Sequence, residues 1–165
     1  MWPVPGVNVV YGKENGMKFL ICIFLLGMFT MVGAEQEQYP TLELANDELR
    51  VVLYLPDAKQ GFYRGTRFDW SGIIERVEYK GHRFYAPWRT PHNPSGHDFV
   101  SGPAEEFGMD KPSGFDEVEA GGSFVKVGVG LLRKGQDEEY KFHGEYEIIR
   151  AGKWKVENGE DWVVF

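Results

Sequence analysis

Cysteine is nearly missing from this 165-residue chain: the single one, Cys22, lies in an apolar run near the N-terminus. Everything after it lacks thiols, which excludes disulfide staples, cysteine nucleophiles and thiolate metal sites from the main body. Clustered positive charge is missing too. The chain holds 18 Lys and Arg against 25 Asp and Glu, a formal net charge of −7, and no Lys/Arg block interrupts that balance. Phosphate backbones are gripped by concentrated positive charge, so nucleic acid is not an expected partner. Helical periodicity is scarce. No GxSxG, no GxGxxG after a strand, no HExxH and no Walker loop occurs, and Gly61–Gly65 lacks the lysine-serine ending of a P-loop. The usual signatures of serine-hydrolase, dinucleotide, zincin and P-loop chemistry are therefore absent.

What is present begins with a leader. Met17-Lys18 precedes Phe19–Gly33, an apolar run of 15 residues, followed by Ala34 and the polar Glu35-Gln36-Glu37-Gln38. A basic residue, a short apolar core and small residues before a polar start mark a secretory signal peptide, with Val32 and Ala34 at the −3 and −1 positions. The run falls short of the ~20 residues that span a bilayer; an uncleaved anchor is the rival reading. Residues 1–16 then read as a start-site artefact, 17–34 as the signal peptide and 35–165 as the exported domain, periplasmic or extracellular, with no stable membrane anchor after cleavage. That domain keeps 131 residues, 16 of them basic and 24 acidic, enough for an ordinary core. Aromatics reach 15%. Aromatic-rich, acidic, exported chains often handle carbohydrate, whose C–H faces stack on rings.

Strand signals dominate, which predicts an all-β, antiparallel fold. Thr41–Ala45, the turn pair Asn46-Asp47 and Glu48–Leu55 read as a hairpin. Ile73–Tyr79, Lys80-Gly81 and His82–Tyr85 read as a second. Ser123–Leu132 and Lys141–Arg150 each read as one strand. Lys153–Glu157, Asn158-Gly159 and Asp161–Phe165 read as a hairpin turning on Asn-Gly, since both residues tolerate positive φ. Pro87–Gly122, 36 residues rich in Pro and Gly, is long for a loop. It carries Trp88, Phe99, Phe107 and Phe115, so order and function are expected of it rather than disorder. The apolar strand at the C-terminus would leave an exposed edge, and the expectation is an N-terminal part of a longer β protein.

Two polar clusters lie between Gly61 and Gly108. In GFYRGTRFDWSG, Arg64, Arg67, Asp69 and Trp70 gather. If the segment is extended, Arg67 and Asp69 share one face and Phe68 and Trp70 the other. Arg67 and Asp69 can then pair with each other beside a buried Trp70, or reach a ligand hydroxyl. His97-Asp98 is either a histidine held in one tautomer by its neighbour and usable as a general acid, or a loop histidine beside an Asx turn. Glu105-Glu106 point to opposite sides if extended, so one of them faces any site. That one could serve as a base if burial raises its pKa; otherwise the pair is a solvated acidic turn. His92 reads as a surface residue among turn formers, and His143 as part of a strand. His92, His97, Asp98 and Glu105 offer nitrogen and oxygen donors, but their spacing matches no strong zinc pattern, and neither metal nor other cofactor is expected.

With those residues in view, the chain resembles the galactose mutarotase-like superfamily (aldose 1-epimerase-like proteins), within it an uncharacterised exported subgroup. The resemblance rests on Leu44–Leu55 as an opening hairpin, YRGTRFDWSGIIERVEYKGHRFY, HDFVSGPAEEFG, and VKVGVGLLRK followed by YEI and GKW, covering roughly residues 42 to 165. It implies an antiparallel β-supersandwich, here its N-terminal part, with a carbohydrate site on the concave face. It also implies isomerase chemistry: a histidine protonates the ring oxygen while a glutamate deprotonates the anomeric hydroxyl. Carried onto this sequence, His97 becomes the acid or a sugar contact, and Glu105 or Glu106 the carboxylate. Arg64, Arg67, Asp69, Trp70, Trp88 and Asp98 become sugar-binding groups. The family's usual base comes from the C-terminal half, beyond Phe165. A non-catalytic carbohydrate-binding module and a structural β domain are the alternatives on the same scaffold.

Overall fold

β-branched and aromatic residues in short alternating runs pair here as antiparallel sheets, and a computed structural model describes them for residues 39–165. The leader and the start-site assignment lie outside the described residues. Among the described residues all regular structure is β. Strands β1 (Thr41–Ala45), β2 (Leu49–Tyr54), β3 (Ile74–Tyr79) and β4 (His82–Phe84) form one sheet in that order. Strands β5 (Ser123–Lys126), β6 (Gly130–Arg133) and β7 (Ile148–Ala151) form a second, and β8 (Glu157–Asn158) pairs with β9 (Val163–Val164). Each pairing is antiparallel.

Turn chemistry fixes the first sheet. Asn46 Oδ1 accepts from the N–H groups of Glu48 and Leu49 at 2.9 and 2.8 Å, closing the β1–β2 turn. Lys80 and Gly81 both carry positive φ, 48° and 77°, the two-residue hairpin geometry that matches strand twist. Tyr79 therefore faces His82 across β3 and β4.

Three expectations fail in instructive ways. The run from Ser123 to Leu132 is two strands, because Gly128 turns the chain at φ 78° and sends β6 back along β5. Lys141–Arg150 is strand only from Ile148, since Phe142 and His143 make a turn closed by Gly144 N–H to Lys141 C=O at 2.8 Å. His143 is thus an exposed turn residue. The last hairpin does not turn on Asn158-Gly159: Asn158 pairs with Val163, and the Gly159 N–H reaches the Trp162 carbonyl at 2.9 Å, giving a four-residue loop.

The core is aromatic. Tyr54 stacks on Phe62 with centroids 3.9 Å apart, and Phe62 stacks on His92 at 4.0 Å. His92 also holds the Phe62 carbonyl at 2.7 Å through Nε2, so it is a packed histidine and not a surface one. A second group joins Phe115, Phe124, Tyr140 and Tyr146 edge to face or stacked. Phe115 comes from the long loop, and its burial makes that part of the loop contribute to the core.

Burial gives these rings a pH signature. Desolvation pushes the Tyr63 hydroxyl up to about 12, and pushes those of Tyr54 and Tyr140 up as well, from an ordinary value near 10. A raised folded pKa means the unfolded chain loses its protons first, so the stability these groups contribute is present below pH 10 and is lost as pH climbs through the folded values. Circular dichroism and tyrosinate absorbance should therefore change together, cooperatively, above pH 10. Tyrosinate appearing in the folded chain with an ordinary midpoint would contradict this packing.

Candidate functional site

Loop 61–70 and loop 87–122 are tied together by backbone bonds, and that tie builds the site. Arg64 N–H donates to Pro94 C=O at 2.6 Å, and Asp69 N–H donates to Glu105 C=O at 2.8 Å. Pairing at Glu105 turns its own side chain outward, where it is exposed, and turns Glu106 inward toward Arg67, as adjacent extended residues must. Arg67 Nε then donates to Glu106 Oε2 at 2.9 Å, with 21% and 11% of the two side chains exposed. The sequence allows Arg67 to pair with Asp69 or to reach a ligand hydroxyl; its partner in the structure is Glu106. Asp69 Oδ1 accepts from Ser71 N–H and Oγ–H, both at 2.8 Å, and its side chain lies against Gly128.

The Arg67 guanidinium carbon lies over two rings, 4.5 Å from the Phe68 centroid and 4.6 Å from that of Phe142. Lys126 extends from β5 on the same face as Phe124; it is 1% exposed, its ammonium donating to Gly108 C=O at 3.3 Å and lying 5.1 Å from the Tyr140 ring. Desolvation lowers the Lys126 pKa, with the Glu106 carboxylate raising it and Arg67 lowering it to a smaller extent. Glu106 Oε1 and Tyr140 Oη are buried and make no protein hydrogen bond. The cluster reaches solvent through Arg67 and the 39% exposed ring of Phe142. Lys126, Tyr140 and Phe142 were not expected here from sequence.

His97 joins the cluster by its backbone and by its neighbours. Tyr63 Oη–H donates to His97 C=O at 3.0 Å while accepting from Arg67 N–H at 3.3 Å. The His97 ring lies 6.4 Å from that of His143, which in turn packs 5.0 Å from Phe142.

Other expected site residues lie elsewhere in their bonding. Trp70 is 2% exposed, stacks on Trp154 at 5.4 Å and donates through Nε1 to Gly65 C=O at 2.8 Å. Its ring has no free face for a ligand and serves the core. Arg64 folds back onto the Lys59 carbonyl. Trp88 is 60% exposed with the Arg89 guanidinium over its ring at 4.2 Å, and Arg89 pairs with Asp98 at 2.9 Å. Asp98 thus engages Arg89 rather than orienting the His97 beside it. Its Oδ1 is buried without a hydrogen bond. No group of three or more His, Cys, Asp and Glu side chains is arranged to hold a metal among the described residues.

Two surface depressions lie away from the cluster. One of about 370 Å³ is lined by the β1–β2 and β3–β4 turns, and one of about 420 Å³ by Val125, Leu131, Arg150 and their neighbours. Arg67, Glu106 and His97 line neither. No family model, curated protein or solved structure matches this chain.

Proposed function

We propose that the chain is an exported carbohydrate-binding β domain of the galactose mutarotase type, with the sugar held at the Arg67–Glu106 cluster. One observation carries the reading: a guanidinium lying over two rings pairs with a carboxylate whose second oxygen, like the Tyr140 hydroxyl, is buried with no protein partner. Buried polar atoms are nearly always satisfied, so such a pair beside aromatic faces suits a ligand that brings both hydroxyls and C–H surface. A sugar is that ligand.

Binding has more support than catalysis. An epimerase needs a carboxylate free to take a proton opposite an acid. Glu106 is engaged by Arg67, and the Glu105 side chain is turned to solvent. His97 approaches the cluster but faces His143.

Saturation-transfer NMR of the full chain against a panel of neutral and acidic mono- and oligosaccharides tests the reading. At least one is expected to receive saturation, and Glu106→Met is expected to abolish it in a protein that still melts cooperatively. Silence across the panel would remove the carbohydrate reading.

A further inference from the structure

Resting on the carbohydrate reading, we infer that the preferred ligand is an acidic sugar whose carboxylate, as in a uronic acid, is received by the open edge of the Arg67 guanidinium beside Lys126.

The first support is geometric. Arg67 spends only Nε on Glu106, and its two terminal nitrogens make no hydrogen bond within the described residues. Those nitrogens form a planar fork whose spacing matches the two oxygens of a carboxylate. The guanidinium carbon lies over both the Phe68 and Phe142 rings and Nε is fixed on Glu106, so less side-chain freedom remains to be lost when the fork is used. Arg67 also keeps part of its surface open to solvent, where a ligand can arrive.

The second support is the charge count. Arg67 pairs with Glu106, and the Lys126 ammonium is anchored on the Gly108 carbonyl two residues further along the same loop, so two cations converge on the segment that carries one carboxylate, Glu106. The site is left with an excess of positive charge in a chain of net charge −7. Completing it with an anion balances the cluster, whereas a neutral sugar leaves a cation uncompensated in a poorly solvated place. Glu106 Oε1 and the Tyr140 hydroxyl then remain for the ring hydroxyls. A plain anion would leave those two atoms unserved, which favours an anion carried on a polyol ring over a simple carboxylate.

Isothermal titration of the full chain with galacturonate, glucuronate, galactose, glucose and acetate tests this. A uronate should bind at least ~10-fold more tightly than its neutral counterpart, from the strength of charge-assisted bidentate bonds, and acetate should bind more weakly than the uronate. The preference should shrink at high salt. Arg67→Lys, which keeps the charge and removes the fork, should bring uronate affinity to within a few-fold of the neutral sugar while the thermal melt stays cooperative. Lys126→Met should weaken uronate binding. Equal affinity for neutral and acidic sugars would overturn the acidic preference and leave the carbohydrate reading standing. Acetate binding as tightly as uronate, with no response to neutral sugars, would overturn the carbohydrate reading and keep the anion site. Binding of none of the five would overturn both.

Discussion

Replacing Glu106 with methionine should cost about 3–5 kcal/mol, more than replacing Arg67 with the same residue. The reason is the uneven charge count. Glu106 is the single carboxylate among Arg67 and Lys126, and Lys126 is almost wholly buried. Without Glu106, Arg67 loses its ion-pair partner and the buried Lys126 loses the carboxylate that offsets its desolvation. Without Arg67, Glu106 still has Lys126 nearby, and the loss should be about 1–2 kcal/mol. Methionine conserves side-chain length and adapts to the space, so the comparison reads charge rather than volume. Lys126→Met on its own should be neutral or stabilising, because it removes a buried charge and leaves a matched pair. Combined with Glu106→Met, it should recover part of the loss, since one cation then remains instead of two. Urea unfolding of the four variants measures these differences. Arg67→Met proving costlier than Glu106→Met would refute this account of the cluster.

Gly128→Ala should be at least as damaging, through the backbone. Gly128 sits at φ +78°, in the left-handed region that costs other residues about 1–2 kcal/mol. A Cβ there would also lie 2.4 Å from Asp69 Cγ and 2.7 Å from Asp69 Cα, a clash that must displace loop 61–70. The Gly128 carbonyl accepts from Trp70 N–H at 3.0 Å, so the same shift disturbs a buried tryptophan. A loss of more than about 3 kcal/mol is expected, combining strain and overpacking. Gly121 supplies the control: it has a similar φ of +86° but nothing within 4 Å of the added carbon. Gly121→Ala should therefore cost only the conformational part, about 1–2 kcal/mol. Equal effects at the two glycines would mean that the contact with Asp69 carries no weight.

The first sheet was legible because its turns are chemically explicit: Asn46 caps, and Lys80-Gly81 accepts positive φ. Gly128 was missed because it sits between valines, in a run whose β-branched content reads as one uninterrupted strand. The same run hid Lys126. Val125 and Val127 are 48% and 54% exposed, while Phe124 and Lys126 point inward. The alternation was there; which face it served depended on Phe115 and Tyr146 arriving from outside the strand to pack on Phe124. Asn158-Gly159 misled in the opposite direction, since pairing of Asn158 with Val163 overrides its turn preference.

The site was legible in part for a similar reason. Arg67, Glu106 and His97 are local polar features in Gly- and Pro-rich segments, and such features stand out. Their partners come from far along the chain. Glu106 follows Arg67 by 39 residues, and Phe142 and Lys126 arrive from separate loops and strands. Trp70 shows the converse. Its neighbours suggested a ligand platform, but its ring is consumed by Trp154 and by the Gly65 carbonyl.

The most direct test of the central claim is the Nε–H resonance of Arg67 in ¹⁵N-labelled protein, followed while a bound sugar is titrated in. A guanidinium bonded to Glu106 and shielded by two rings should give a resolved signal that Glu106→Met removes. Sugar binding at the cluster predicts that this signal shifts with saturation, together with those of Lys126 and Phe142. Saturable shifts confined to Trp88 and Arg89, with the Arg67 signal unmoved, would place the ligand elsewhere and contradict the account.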